Sequence, residues 1–303
     1  MANAERFRVG DQVQPHDSRE VMFVAAVDQD TLTVTRGYGG TPAQALFAGQ
    51  SLRILGNAAL EGGDAPAARF THRSRKSNYT QIFTASVEVS GTQLAVNTLG
   101  VDDELDYQKQ ERLRELMRDL ENCVINGVGP TLAPQGDATT RRTMKGIVPF
   151  LTSNLFAPGV DGFPADAKLT EEQINTALRS IWSGASGGID TIVVSGFQKR
   201  RINSFITANR RYSGDDVRFR DLVGVYESDF GICRVVLSRW VPPDAVLLLD
   251  SSRIHVLPLA GRSFHFKRFS SQGDREAGQL IGEYTLELQN EAAHGLIRGL
   301  ATA

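Results

Sequence analysis

The hydrophobic positions change period along the chain. Between Val9 and Ile54 they fall in short runs, broken at Gly10-Asp11, Asp28-Gln29-Asp30 and Gly37–Gly40. Thr31–Thr35 alternates with period two, as a half-buried strand does. Residues 7–56 therefore predict a small antiparallel β module. Gly62-Gly63-Asp64-Ala65-Pro66 then forms a flexible joint. A strand-like pattern resumes over residues 79–96, through Ile82, Phe83, Val87, Val89, Leu94 and Val96. Its apolar content is thin for an independent core, so 57–100 reads as an extended arm that needs a partner surface.

Residues 102–126 carry the clearest helical signal. Asp102, Asp103 and Glu104 stand at the start, where the helix dipole favours acids. Leu105, Leu113, Leu116, Met117, Leu120 and Val124 fall on one stripe. Glu111–Arg114 and Glu115–Arg118 are i, i+3 pairs, and Gly127, Gly129 and Pro130 end the helix. At 1.5 Å per residue it is about 35 Å long, and its single apolar stripe suits a helix lying across a sheet. Residues 128–168 are loop-rich. Thr170 and Gln173 then form a capping box for a helix to about Trp182. Ile189–Val194 predicts a buried strand and 198–210 another helix. Arg234–Leu237, Ala245–Asp250, His255–Leu257 and Leu280–Leu288 predict further strands. The irregular order of strands and helices points to α+β architecture.

Composition changes this picture little. Of 303 residues, 41% are hydrophobic and 22% charged, which is ordinary for a globular chain and excludes general disorder. No apolar run approaches the roughly 18 residues of a membrane helix, and the first residues lack the apolar stretch of a secretory signal. Two cysteines, Cys123 and Cys233, exclude a disulfide framework or a paired-cysteine zinc site.

Candidate chemistry is sparse. Gly184-Ala185-Ser186-Gly187-Gly188 matches GxSxG, but a nucleophile elbow needs a strand before its serine and a helix after it. Here the order is reversed, so the stretch reads as a glycine turn. Gly37–Thr41 lacks the lysine and the following helix of a phosphate loop. Asp28, Asp30 and Thr33 lack the glycine of a calcium loop and read as a hairpin turn. None of the five histidines stands at zinc-ligand spacing. No catalytic residue, cofactor or metal is expected.

Charge is distributed unevenly although the net is only −2. Arg69, Arg73, Arg75 and Lys76 put four positive charges into eight residues. Lys199, Arg200, Arg201, Arg210, Arg211, Arg218 and Arg220 stand against two acids between 196 and 220. Asp274, Glu276, Glu283, Glu287 and Glu291 stand against Arg275 alone between 273 and 291. Separated patches of opposite sign suit a subunit that assembles with itself. The 196–220 cluster also suits phosphate contacts.

Several segments, taken in order, resemble one family. They are Asn78-Tyr79-Thr80-Gln81-Ile82-Phe83, Val89-Ser90-Gly91-Thr92, Tyr107-Gln108, Arg118-Asp119-Leu120-Glu121 and Arg142-Thr143-Met144-Lys145-Gly146-Ile147. Gly273-Asp274, Glu283-Tyr284-Thr285-Leu286-Glu287 and Asn290–Gly295 complete the series. Over roughly residues 60–300 the chain resembles major capsid proteins of tailed bacteriophages. The resemblance implies the α+β Hong Kong 97-type capsid fold, in which a long spine helix lies on the β-sheet of a peripheral (P) domain, with a separate axial (A) domain and an extended (E) loop. It implies a β-rich module at 1–56, in or before the E-loop, with the E-loop arm at 57–101. The P domain would take 102–145 and 261–303, and the A domain 146–260. Family members carry an N-terminal arm upstream, whereas here the β pattern begins almost at Met1.

The implied role is structural rather than enzymatic. Such subunits form hexamers and pentamers of an icosahedral head shell around double-stranded DNA. They assemble in the host bacterial cytoplasm, with scaffold, portal and decoration proteins as possible partners. Arg69, Arg73, Arg75, Lys76, Glu283, Glu287 and Glu291 are then expected at contacts between subunits. Lys199, Arg200, Arg201, Arg210 and Arg211 are expected at DNA phosphates or the capsomer centre. The rival readings are an encapsulin-like shell around a protein cargo and a hydrolase using Ser186.

Overall fold

Local sequence rules account for the first of two units, residues 1–74. The computed structural model describes residues 4–66, 68, 75–96, 103–184, 188–209, 224–270 and 273–302. Strands β1 (Asp11–Pro15), β2 (Met22–Asp28), β3 (Thr31–Thr35) and β4 (Leu52–Asn57) form an antiparallel sheet in the order β3-β2-β1-β4. Asp28 to Thr31 is the expected hairpin turn, with Gln29 at φ 43°. The core is small: Val13, Met22 and Val24 are buried, with Phe7, Val27, Leu32, Val34 and Leu52 packed around them.

A buried carboxylate supplements that core. Glu20 has no exposed side-chain surface and accepts both arms of the Arg36 guanidinium, at 2.5 and 2.6 Å. It also accepts the backbone N–H of Gly37 (3.1 Å) and of Gln44 (2.8 Å). The hydrogen bonds from Arg36 hold its pKa down, to about 2.

The second unit spans residues 75–303. It begins with β5 (Gln81–Ser90) and a short helix α1 (Gly91–Ala95). The long helix α2 (Glu104–Asn126) starts one residue after its N-cap Asp103, whose carboxylate accepts the Asp106 N–H at 3.1 Å. Leu105, Leu116, Leu120 and Ile125 are buried. Leu113 and Met117, expected on the same stripe, are exposed. Met117 sits about 100° round the helix from Leu116, which carries it off the sheet. Glu111 pairs with Arg114 as expected, whereas Glu115 pairs backwards with Arg112 at 2.6 Å and Arg118 bonds the Arg114 carbonyl.

The rest of the unit builds two sheets. The elements are α3 (Ile147–Phe150), β6 (Leu155–Phe156), α4 (Glu171–Gly184), β7 (Thr191–Val194), α5 (Gly196–Asn209), β8 (Val225–Ser228) and β9 (Gly231–Leu237). They continue with β10 (Val246–Leu249), β11 (Ile254–Pro258), β12 (His265–Arg268), β13 (Arg275–Leu288) and β14 (Gly295–Ile297). The six-stranded sheet has the order β6-β14-β10-β7-β9-β8. Its centre is apolar on both faces: Val246 and Leu248 pack with α4, and Leu247 and Leu249 with α3 and the end of α2. Thr170 and Gln173 form the expected capping box at the start of α4, each side chain bonding the other's backbone N–H at 3.1 and 3.3 Å.

In the other sheet β13 is central. It pairs with β5 on one side and with β11 and β12, end to end, on the other. Residues 81–90, expected in the arm, are thus a strand of the chain's own sheet, with Phe83, Val87 and Val89 turned in to the core. The sheets do not divide at residue 261. β13 stays with β5, while β14 joins the six-stranded sheet. Phe264 and Phe266 lie over Gly282 and Gly278, where any Cβ would meet the rings at 2.6 and 2.2 Å.

Two further glycines close α2. The Gly146 N–H bonds the Gly127 carbonyl at 2.7 Å, returning the loop 127–146 to the helix end. A Cβ on Gly146 would stand 2.6 Å from the Cys123 carbonyl oxygen and 2.8 Å from that of Ile125. Backbone atoms cannot step aside as a flexible side chain can. Gly146→Ala is therefore expected to destabilise the second unit by about 1–3 kcal/mol, measured as a lower urea midpoint. Gly188→Ala, with open space around its Cβ position, should leave that midpoint within error.

Candidate functional site

The segments that carry the family resemblance come from three distant parts of the chain and meet at one place. Glu283, on β13, is only 3% exposed. Its carboxylate accepts the Thr80 hydroxyl at 2.5 Å and pairs with Arg142 on one oxygen and with Arg262 at 2.7 Å on the other. Arg142 also donates from Nε to the Thr80 carbonyl at 2.6 Å. The backbone of Glu283 bonds the Arg262 carbonyl and the Leu259 N–H, each at 2.9 Å. One carboxylate thus holds the chain just before β5, the loop before α3 and the turn between β11 and β12.

Asn78 extends the clasp. Its Nδ2 donates to the carbonyls of Lys145 and Leu286, both at 2.9 Å, and its Oδ1 accepts the N–H groups of Tyr79 (2.9 Å) and Lys145 (2.8 Å). That satisfies the whole amide. Gln81 accepts the Met144 N–H at 3.1 Å, and the Thr285 hydroxyl donates to the Tyr79 carbonyl at 3.1 Å.

A second carboxylate works at the far end of β13. Glu291 accepts the N–H groups of Thr152 (2.6 Å) and Ser153 (2.8 Å) and the Ser153 hydroxyl (2.7 Å), with Lys76 Nζ 3.7 Å away. Burial opposes its ionisation, but these donors outweigh it and hold the carboxyl below the usual glutamate value. Nearby, His294 is fully buried. Its Nδ1 accepts the Asp250 N–H at 3.2 Å and its Nε2 faces the Gln289 carbonyl at 3.3 Å. Burial pushes it below the ordinary histidine value, so the ring is neutral.

The charged residues singled out from the sequence therefore occupy different environments. Glu283 and Glu291 are engaged within their own chain, and Lys76 reaches Glu291. Glu287 and Arg75 are exposed. On α5, Arg200 is exposed and Lys199 half-buried. Arg201 stacks on Phe205 at 5.9 Å and reaches the Leu169 carbonyl at 3.4 Å. Arg69, Arg73, Ser186, Arg210, Arg211, Arg218 and Arg220 lie outside the described residues. Around residue 186, α4 precedes and β7 follows, the order read from the sequence. The charge pattern grouped Glu283 with surface acids and missed Arg142 and Arg262 as its partners. It lies on the face of β13 opposite Gly282 and Leu286, so its burial comes from Thr80, Arg142 and Arg262, and no local pattern marks it as interior.

No group of His, Cys, Asp and Glu among the described residues could hold a metal ion. The chemistry is cohesive: it fixes three chain segments to one strand. Burial opposes ionisation of Glu283, but Thr80, Arg142 and Arg262 outweigh it and hold its pKa below the usual value. A depressed carboxylate contributes stability above its unfolded value of about 4.5 and loses it as pH falls through the folded value. Glu283→Gln is expected to cost about 2–3 kcal/mol at neutral pH, and the gap to wild type should narrow on acidification. Urea unfolding of both proteins at about pH 7 and about pH 3.5 measures this. An equal gap at both pH values would refute the ion-pair account.

Comparison with known proteins gives this architecture a family. The family model described as SU10 major capsid protein matches residues 10–301. No curated protein matches. Among solved structures, the fold is similar to the satellite phage P4 procapsid including size determination (Sid) protein, at 11% identity and TM-score 0.55, over 85% of this chain and 82% of that one. It is similar to the cyanophage A-1(L) capsid, at 14% identity and TM-score 0.51, over 97% and 92%. It is also similar to the holo-SrpI encapsulin complex from Synechococcus elongatus PCC 7942, at 10% identity and TM-score 0.51, over 74% and 75%. These likenesses identify the α+β fold as the Hong Kong 97-type capsid fold. With the family match running through both sheets and every segment of the clasp, the chain belongs to the SU10 major capsid protein family.

Proposed function

We propose that this chain is the shell subunit of a tailed-phage head, set in hexamers and pentamers around double-stranded DNA. The observation that carries the reading is the family match over residues 10–301. In this reading α2 is the spine of the P domain, lying on β5 and β13, and the six-stranded sheet is the core of the A domain. The module at 1–56 sits in or before the E-loop. The exposed segment from Ala58 to Pro66 and the chain up to Lys76 then belong to an arm that meets a neighbouring subunit. The host bacterial cytoplasm is the place of assembly, with scaffold, portal and decoration proteins as further partners.

DNA contact in this reading is non-specific and runs through phosphates. Arg200, with Lys199, Arg201, Arg210 and Arg211, is one candidate; the same cluster would serve equally at a capsomer centre. The encapsulin-like alternative keeps the fold and replaces DNA with a protein cargo.

Negative-stain electron microscopy with light scattering on the purified chain tests the proposal. Closed shells, or rings of five and six subunits, are the expected outcome, and nucleic acid inside shells isolated from infected cells separates a phage head from a cargo shell. A monomer that never assembles, even with a scaffold supplied, would overturn the reading. Within it, reversing Arg73, Arg75 and Lys76 to Glu should abolish shells while lowering the urea midpoint of the second unit only by the loss of the Lys76–Glu291 pair. Each exposed ion pair is worth only about 0–1 kcal/mol to the fold, whereas a closed shell multiplies each contact many times. Normal shells from the triple variant would remove the arm charges from the interface.

A further inference from the structure

Sheet edges carry unpaired backbone groups, and proteins blunt them with short strands, bulges, prolines and lysines. Most edges here are blunted. β6 has two residues, β8 four and β3 five. β4 carries a bulge in its pairing with β1. On the β13 sheet, the edge formed by β11 and β12 holds Pro258, Lys267 and Arg268. The opposite edge differs. β5 runs for ten residues, pairs with β13 in one unbroken register, and contains neither Pro, Lys nor Arg. At about 3.4 Å per residue it presents an edge of about 34 Å.

The register shows which groups face outward. Gly91 N–H bonds the Asp274 carbonyl at 3.0 Å and continues the pairing of Gln81 with Tyr284 through Ser90 with Arg275. In an antiparallel ladder, alternate residues exchange both hydrogen bonds. Odd-numbered residues of β5 therefore bond β13, while the N–H and C=O groups of Ile82, Thr84, Ser86 and Glu88 face the other side, where no strand among the described residues pairs with β5. Thr80, also even-numbered, fits this phase: its carbonyl accepts Arg142 from the open side. A cleft of about 780 Å³ lies against the first half of the edge, lined by Gln81, Ile82, Thr84 and residues 135–143. Its far wall is stiffened by Asp137, whose Oδ1 accepts the N–H groups of Thr139 and Thr140, both at 2.7 Å. An extended strand has room to enter between wall and edge.

The geometry points to strand addition: the outer edge of β5 receives an extended segment of a second copy of this chain, which continues the β5–β13 sheet across the subunit boundary. The choice of occupant rests on the shell reading above, in which every subunit is surrounded by copies of itself. Backbone pairing also tolerates sequence, so one edge can serve in the non-equivalent positions of hexamers and pentamers.

Hydrogen exchange on wild-type shells and on unassembled subunits from the same preparation tests this. The amides of Ile82, Thr84, Ser86 and Glu88 should exchange freely in subunits and at least about tenfold more slowly in shells. The inward amides of Phe83, Ala85 and Val87 should be protected in both. Ser86→Pro removes only an outward donor, which an edge strand tolerates; the variant should unfold at the wild-type urea midpoint and fail to form shells. Shells whose β5 edge exchanges as fast as in subunits, or shells formed at wild-type yield by a folded Ser86→Pro, would overturn strand addition and leave the shell reading standing. Wild-type protein that forms no shells would overturn both.

Discussion

The Glu283 carboxylate is the point on which the second unit's connectivity depends. It is hydrogen-bonded to residues 203 and 141 positions earlier in the chain, Thr80 and Arg142, and ion-paired with Arg262 in the adjoining turn. Through Arg142 it anchors the loop that returns to α2 at Gly146 and Gly127. Through Thr80 it fixes the start of β5, and through Arg262 the crossing from β11 to β12. A buried ion pair gives little net stability over a well-packed apolar cluster, because desolvation offsets the attraction. What it does supply is selectivity. Three segments can each satisfy a buried carboxylate in only one geometry, and misplacing any of them leaves charge uncompensated inside.

The same device recurs in the first unit at smaller scale. Three buried apolar residues are a modest core for a four-stranded sheet. Glu20 adds a bidentate arginine and two backbone donors, pinning the connection after β3 to the sheet. The six-stranded sheet needs no such help. Its central strands are covered on both faces, and its polar stitching lies at the rim, in Asn154, Glu291 and His294.

How far the sequence could be read follows from the range of the interactions involved. Local rules placed α2 with its acidic start, the Thr170–Gln173 capping box and a strand within Ala245–Asp250. Each depends on neighbours within a few positions. The strand at 81–90 showed its alternation but not its partner, because β13 lies nearly 200 residues further on and no periodicity encodes that pairing. The reading of that stretch as a free arm followed from counting only its own apolar side chains. Glu283 failed for the same reason. A window of charges sees Glu287 and Glu291 beside it but not Arg142. The segments quoted for the family resemblance marked the right residues without saying why they matter; the clasp supplies the reason.

Satisfying these charges internally also shapes what is left for assembly. Glu283, Glu291, Arg142, Arg262 and Lys76 all have partners within the chain, so the acidic and basic stretches of the sequence offer fewer outward charges than their counts suggest. Exposed pairs that remain are individually weak. A shell built from weak, repeated contacts gains from that weakness, because misplaced subunits can leave before closure fixes them. Charge alone discriminates poorly among such contacts, since it acts over a Debye length of about 10 Å and is insensitive to register. Under the proposed strand addition, directional contacts set the register between subunits. Among the described residues the edges of β11, β12, β4, β6 and β8 are blunted, and β5 carries a ten-residue run without Pro, Lys or Arg.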